Sequence, residues 1–250
     1  LLFSLLFLLA SCSSLEIESA TSSEDEAQKI LALGLSHEEN LKLASKLDSP
    51  HLVKIVTLKL KNARDEEIQA AIDLGIDNFG ENFLQEALTK IDSFPNCNWH
   101  FIGSIQSNKC KQISSSFNWV HTVARMKIAE KLNLYRPKGL GKLNICVQIN
   151  LDDEDTKSGI KIEEAEDMIY GLSKLENIKV RGLMTIPKKQ EEIEEQNKAF
   201  KKMNDHFIYL KKIFPYLDTL SMGMSHDYKE AIKNGSNMIR IGTKLFGERK

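Results

Sequence analysis

The chain is poor in cysteine, and what it has is scattered. Cys12, Cys97, Cys110 and Cys146 lie far apart and no two form a CxxC pair. That spacing favours free thiols over a disulfide framework or a zinc site. Charge of one sign is also missing. A formal net charge of -1, with no basic stripe interleaved with aromatics, gives no case for a nucleic-acid partner. Neither a GxGxxG nor a P-loop follows the first strand-like run, so the usual nucleotide-binding signatures of open sheets are absent. No two histidines stand at metal-ligand spacing, and no internal repeat or low-complexity linker divides the chain. The acidic run "DDEDTKSG" (152–159) lacks the ligand alternation and the closing glutamate of a calcium loop, so a solvated loop is expected.

Long apolar runs are scarce too. The exception is "LLFSLLFLLASCSS" at the N-terminus, which is too short to cross a bilayer comfortably. "LASC" resembles a bacterial lipoprotein signal, in which Cys12 would be lipidated after cleavage. The run lacks a basic segment and an initiating methionine in front of it. Residues 1–20 are therefore read as a signal-like or mis-started apolar segment. A cytoplasmic protein is expected, with a lipid anchor through Cys12 as the alternative.

What the chain does have is alternation. Its 42% hydrophobic and 28% charged residues are ordinary for a soluble globular protein. After a polar, helix-like stretch (22–47), β-rich runs fall at 53–58, 77–80, 98–103, 118–123, 144–150, 178–185, 218–223 and 238–242. Helical stretches lie between them at 65–74, 83–91, 106–115, 125–133, 162–175, 191–214 and 227–234. The clearest is acidic at its start and basic toward its end, with Phe200, Met203, Phe207 and Leu210 as an apolar stripe. Strands separated by helices run parallel with right-handed crossovers. Eight such units in this length predict a single (β/α)8 barrel over 21–250, with an extra N-terminal helical segment. A doubly wound open sheet is the competing arrangement.

In a barrel, ligand groups come from the C-terminal ends of the strands. Polar and glycine-rich residues collect there. The first strand, "KIVTLKLKN" (54–62), ends in Lys59 and Lys61. The last two strands end in "SMGMSHD" (221–227) and "RIGT" (240–243). Loops after strands seven and eight are the barrel's habitual phosphate site, where N–H groups and hydroxyls receive an anion. Gly242 permits close backbone approach, Thr243 adds a hydroxyl and Arg240 a fixed cation. A lysine facing a phosphate site points to an aldehyde cofactor that bears a phosphate, and pyridoxal 5′-phosphate (PLP) fits both halves. Arg240 beside the strand-eight loop cannot accept a proton, which would leave the ring nitrogen unprotonated and the electron sink weak.

The segments "FGENFLQEALTKI", "WHFIGSIQSNK", "VHTV", "VQINLDDEDTKSGI", "RGLMTIP" and "LSMGMSHDYKEAIKNGSNMIRIGTKLFGER" occur in order. Together they resemble the pyridoxal phosphate homeostasis proteins, relatives of the alanine racemase barrel, over about four fifths of the chain (53–249). The resemblance implies a single barrel with PLP held as a Schiff base on a lysine at the end of strand one. It implies a role in intracellular PLP (vitamin B6) and amino-acid homeostasis, without robust catalytic activity. It further implies that Arg240 faces the ring nitrogen, and that Ser225, Gly242 and Thr243, with Ser221 in reserve, hold the phosphate. Asn82 and His100 would line the pocket, and Met222 and Gly223 would lie beside the cofactor. Expected partners are PLP itself and PLP-dependent apoenzymes as recipients, and the expected state is a monomer. The family's lysine-x-lysine pair is followed by proline, where this chain has Asn62. Pairing the lysines with that pattern selects Lys59; an ungapped alignment from "FGEN" selects Lys61.

Two rivals follow from the same residues. An amino-acid racemase needs two bases on opposite faces of the substrate carbon, and the racemase family takes the second from an added β-domain. Only a few residues follow strand eight, so weak or no racemase activity is expected. The other rival is a membrane-anchored lipoprotein whose barrel binds a different phosphate ligand. His37, His51 and His206 read as surface residues, and Asp227 as the cap of the helix that follows.

Overall fold

The computed structural model describes residues 55–59, 63–73, 76–152, 158–188 and 192–243. The expected N-terminal helical segment, residues 1–20, Cys12 and Lys61 lie outside them. The described chain begins in β1 (Ile55–Lys59) and α1 (Asp65–Asp73), followed by β2 (Asn78–Glu81) and α2 (Leu84–Ser93). Next come β3 (Asn98–Phe101), α3 (Cys110–Ser116), β4 (Trp119–Val123) and α4 (Met126–Tyr135). Then follow β5 (Leu143–Ile149), α5 (Ala165–Ser173), β6 (Ile178–Thr185) and α6 (Ile193–Ile213). Last are β7 (Thr219–Met224), α7 (Tyr228–Lys233) and β8 (Met238–Ile241). All strand pairs are parallel, and β1 pairs with both β2 and β8, which closes the sheet into a barrel. The (β/α)8 expectation holds, and the open sheet is excluded.

Closure follows from the side-chain pattern. In β5, Leu143, Ile145, Val147 and Ile149 join the apolar layer between sheet and helices. Asn144, Cys146 and Gln148 alternate with them, as period-2 geometry requires. Helix α6 buries Phe200, Met203, Phe207 and Leu210 in the same layer, the stripe read from its spacing. Each such side chain contributes about 1.5–3 kcal/mol by leaving water. A second, smaller cluster of Trp119, Cys146, Met184 and Met238 forms from the residues that alternate with this layer, inside the barrel. Stability thus comes mainly from the outer layer, which leaves the interior open to polar groups.

Glu81 shows how the layers are tied. It is buried at the end of β2 and pairs with Lys90 of α2. Burial raises its pKa, and the lysine opposes that rise. The glutamate of "FGEN" therefore fastens a helix to its strand. No helix among the described residues is long and apolar enough to cross a membrane.

The ends of β2 and β3 touch. A Cβ on Gly103 would stand 2.0 Å from the carbonyl oxygen of Asn82. Backbone, not a flexible side chain, is in the way, so one strand end must move. Gly103→Ala is expected to lower stability by about 1–3 kcal/mol in urea unfolding, the cost of overpacking a rigid contact. An unchanged midpoint would show that the two ends are free to part.

Candidate functional site

Four strand ends assemble the site. In β7, Leu220 and Met222 belong to the apolar layer, so Ser221 between them turns inward. In β8, Ile239 and Ile241 belong to that layer and Met238 to the inner cluster, so Arg240 also points into the barrel. Thr57 of β1 lies opposite Arg240, and Lys59 lies opposite Gly80 of β2. Lys59 is thus the last residue of β1, at the C-terminal end of the barrel.

Arg240 is 3% exposed. Its Nη1 donates to Ser221 Oγ at 2.7 Å and its Nη2 to the Thr185 carbonyl at 3.0 Å. Burial pulls its pKa down to about 10, and the nearby Asp227 carboxylate works against the fall. It keeps its charge at neutral pH and acts as a donor only.

Above it, the β7 and β8 ends meet. Gly242 is buried, and its N–H donates to Ser225 Oγ at 3.2 Å. Thr243 follows it and is exposed. Gly223 has φ +97, and a Cβ there would come within 2.7 Å of the Ala231 Cβ on α7. Only glycine fits that turn and that contact. Small residues, hydroxyls and a backbone N–H over a buried cation form a donor set suited to a phosphate-bearing anion.

The other expected residues are distributed as follows. Asn82 is half-buried just past β2, against the β3 end. Met222 is buried in the apolar layer, so its backbone, not its side chain, borders the site. His100 is fully buried inside the barrel, stacked on Trp119 with centroids 5.3 Å apart. Both its ring nitrogens have partners: Nδ1 lies 2.9 Å from His121 Nε2, and Nε2 lies 3.0 Å from Asn78 Oδ1. The side chain of Lys59, and Lys61 altogether, lie outside what the structure describes.

Asp227 differs from the cap read from sequence. It sits at the first position before α7, yet its side chain makes no cap bond there. Its Oδ1 instead accepts the N–H of Met224 at 2.6 Å, and its Oδ2 lies 3.3 Å from His226 Nε2. The carboxylate thereby closes the turn after β7 and faces the buried guanidinium electrostatically.

His121 and Thr185 stand in quoted segments and Asn78 in the second β-run, but none of them is given a role by sequence alone. His121 Nδ1 lies 3.2 Å from Ser221 Oγ on the far side of the barrel. A signal for it exists, since Trp119 and His121 alternate with Val120 in a strand too apolar to be an exposed edge. Its pairing with His100, 21 residues away, appears only once β3 and β4 are neighbours. Burial drives the pKa of His100 down to about 3, and burial, His100 and Arg240 together drive that of His121 well below its usual value.

Fold and donors define a parallel (β/α)8 barrel with an anion cradle over an interior arginine. Residues 38–250 match the family described as "Alanine racemase, N-terminal domain". The pyridoxal phosphate homeostasis protein of Escherichia coli K12 is 41% identical over 206 residues, covering 80% of this chain and 88% of that protein. Its namesake from Haemophilus influenzae is 45% identical over 188 residues, covering 73% and 79%. PipY of Synechococcus elongatus, solved with PLP bound, superposes with a TM-score of 0.70 at 26% identity, covering 90% of this chain and all of that one (100%). Alanine racemase from Corynebacterium glutamicum shares the fold at a TM-score of 0.67 and 16% identity, covering 85% of this chain and 61% of that one. The chain belongs to the pyridoxal phosphate homeostasis proteins, within the alanine racemase barrel family.

The histidine pair makes a stability prediction. Unfolded histidine takes a proton near pH 6.5, whereas folded His100 refuses it until about 3. Stability is whole above 6.5 and falls as pH drops toward 3, by up to about 1.4 kcal/mol per pH unit per histidine. Urea midpoints should fall from pH 7.5 to pH 5.5, and less steeply in His121→Asn, with His206, whose pKa burial also lowers, adding to the slope in both proteins. Equal slopes in both proteins would mean that His121 is protonated in the native state.

Proposed function

We propose that this protein binds PLP and serves its storage and delivery in the cell, as a cytoplasmic monomer that passes the cofactor to PLP-dependent apoenzymes. The carrying observation is a buried, oriented Arg240 directly below the β7–β8 donor set, with Lys59 at the end of the adjoining β1. The relatives named for PLP homeostasis and the PLP-bound PipY support the same reading.

In this reading Ser225, Gly242 and Thr243 receive the phosphate, helped by the glycine turn at Gly223. Lys59 anchors the cofactor as a Schiff base. PLP supplies an aldehyde that condenses reversibly with amines, and the protein's part is to hold it. Arg240 offers the ring nitrogen a hydrogen-bond donor that keeps its own proton. Beside such a donor a ring nitrogen would stay unprotonated, and PLP held there would draw electrons only weakly from an attached amino acid. Holding is favoured over turnover. Asn82 lines the pocket at the β2 end, and Met222 contributes backbone beside the cofactor.

Titration of the purified protein with PLP tests this. A visible absorbance band should grow to one equivalent and disappear on borohydride reduction, leaving the label on the peptide that holds Lys59. Lys59→Ala should abolish the band, whereas Lys61→Ala should leave it. A flat spectrum at stoichiometric PLP would defeat the proposal, and label on Lys61 would defeat the assignment of the lysine.

A further inference from the structure

The polar groups inside the barrel form one continuous line. Arg240 Nη1 is 2.7 Å from Ser221 Oγ, which is 3.2 Å from His121 Nδ1. His121 Nε2 is 2.9 Å from His100 Nδ1, and His100 Nε2 is 3.0 Å from Asn78 Oδ1. Asn78 Nδ2 then lies 2.5 Å from Asp77 Oδ1, and Asn98 Nδ2 binds the other oxygen of that carboxylate at 2.9 Å. Five strands supply the line: β8, β7, β4, β3 and β2, with Asp77 just before β2.

The carboxylate end sets the direction, because Ser221 Oγ at the other end can accept from Arg240 whichever way its own proton points. A guanidinium only donates, and an ionised carboxylate only accepts. Asn78 must turn its NH2 to Asp77, so its oxygen faces His100 and accepts from Nε2–H. His100 Nδ1 is then bare and accepts from His121 Nε2–H. His121 Nδ1 is bare in turn and accepts the Ser221 hydroxyl proton, which frees the Ser221 lone pairs for Arg240. Reversing the buried link between the histidines alone sets two lone pairs, or two protons, face to face at a neighbouring link, at a cost of about 1–3 kcal/mol. Reversing the whole line turns the Asn78 oxygen toward the Asp77 carboxylate.

We infer that Ser221, His121 and His100 are positioning residues, which hold Arg240 through a one-way hydrogen-bond chain in which both histidines are neutral Nε2–H tautomers. The line is no proton relay, because its first member does not release its proton. The charged group acting on His121 is Arg240 of β8, and Arg181 of β6 lies over the Trp119 ring. Arg240 opposes a second proton on His121, whereas Arg181 is paired with Asp218. The guanidinium has Ser221 and the Thr185 carbonyl as fixed acceptors, so its plane is set before any ligand arrives. The value of that orientation to PLP rests on the function proposed above.

The chain is tested in the ligand-free protein by two-bond 1H–15N correlation of labelled histidine rings at pH 7. Both rings should show a protonated Nε2 and a bare Nδ1. An Nδ1–H form, a mixture, or an imidazolium on either ring would overturn the inference. Positioning is tested with PLP. Ser221→Ala should weaken PLP binding about tenfold and shift the absorbance band. His121→Leu should do the same. His121→Asn, whose oxygen replaces the Nδ1 acceptor, should recover most of the affinity and restore the band position. Wild-type affinity and spectrum in Ser221→Ala, or equal losses in the Asn and Leu variants, would overturn the positioning role. A wild-type protein that binds no PLP would sink the proposed function, while the ring spectra would still judge the chain.

Discussion

A positive charge sealed inside a closed barrel is the constraint on which the rest of this structure turns. Arg240 cannot escape to water, and leaving such a charge unpartnered costs several kcal/mol. The fold answers from three sides. Ser221 and the Thr185 carbonyl accept its protons, and Asp227 supplies opposite charge from the turn after β7. Each of those groups is itself held. Asp227 is tied by the Met224 N–H, and Thr185 donates its hydroxyl to the Ile149 carbonyl at 3.0 Å. The guanidinium therefore organises β5 through β8 around one point.

The division of labour between the two layers makes this affordable. Outside the strands, a continuous apolar layer runs from Ile68 to Ile241 and carries most of the burial. Inside, among the described residues, Trp119, Cys146, Met184 and Met238 form a small apolar group beside a line of hydrogen-bonded polar side chains. Cys146 is buried so completely that its thiol is pushed up to about 12. It is a filler of the interior and not a nucleophile. Packing fixes the barrel, and the polar interior fixes which way its functional arginine points.

Much of this was legible from residue order. Strand β6 occurs at the residues expected, and the other strands begin and end within two or three residues of their readings, because helix and strand periods differ so clearly here. Arg240, Ser225, Gly242 and Gly223 could be singled out as candidates because loops after β7 and β8 are short and close to their strands in sequence. His121 was quoted within "VHTV" without a role, because its role lies in a contact with Ser221, 100 residues away. Glu81 was quoted within a motif, but its role needed the facing helix and Lys90. Asp227 fits the cap pattern by position, yet the adjacent turn offered its carboxylate a better-placed donor in Met224 N–H. Local chemistry can be read along the chain, whereas chemistry across a barrel depends on which strands become neighbours.

The same interior bears on the choice between holding a cofactor and using it. A carboxylate beneath a pyridine ring would share a proton with the nitrogen and draw electrons from whatever is attached. An arginine with a pKa of about 10 keeps its proton at neutral pH, so in the function proposed above that route is closed. Changing this requires more than a new side chain at position 240. An acidic group there would face Ser221 and the Thr185 carbonyl, one of which only accepts, and the histidine tautomers would have to reverse to supply protons. Asn78, turned by Asp77, opposes that reversal from the other end of the barrel. The setting of position 240 is thus distributed over six strands, so a single substitution there disturbs the hydrogen-bond line before it places an acid in the interior.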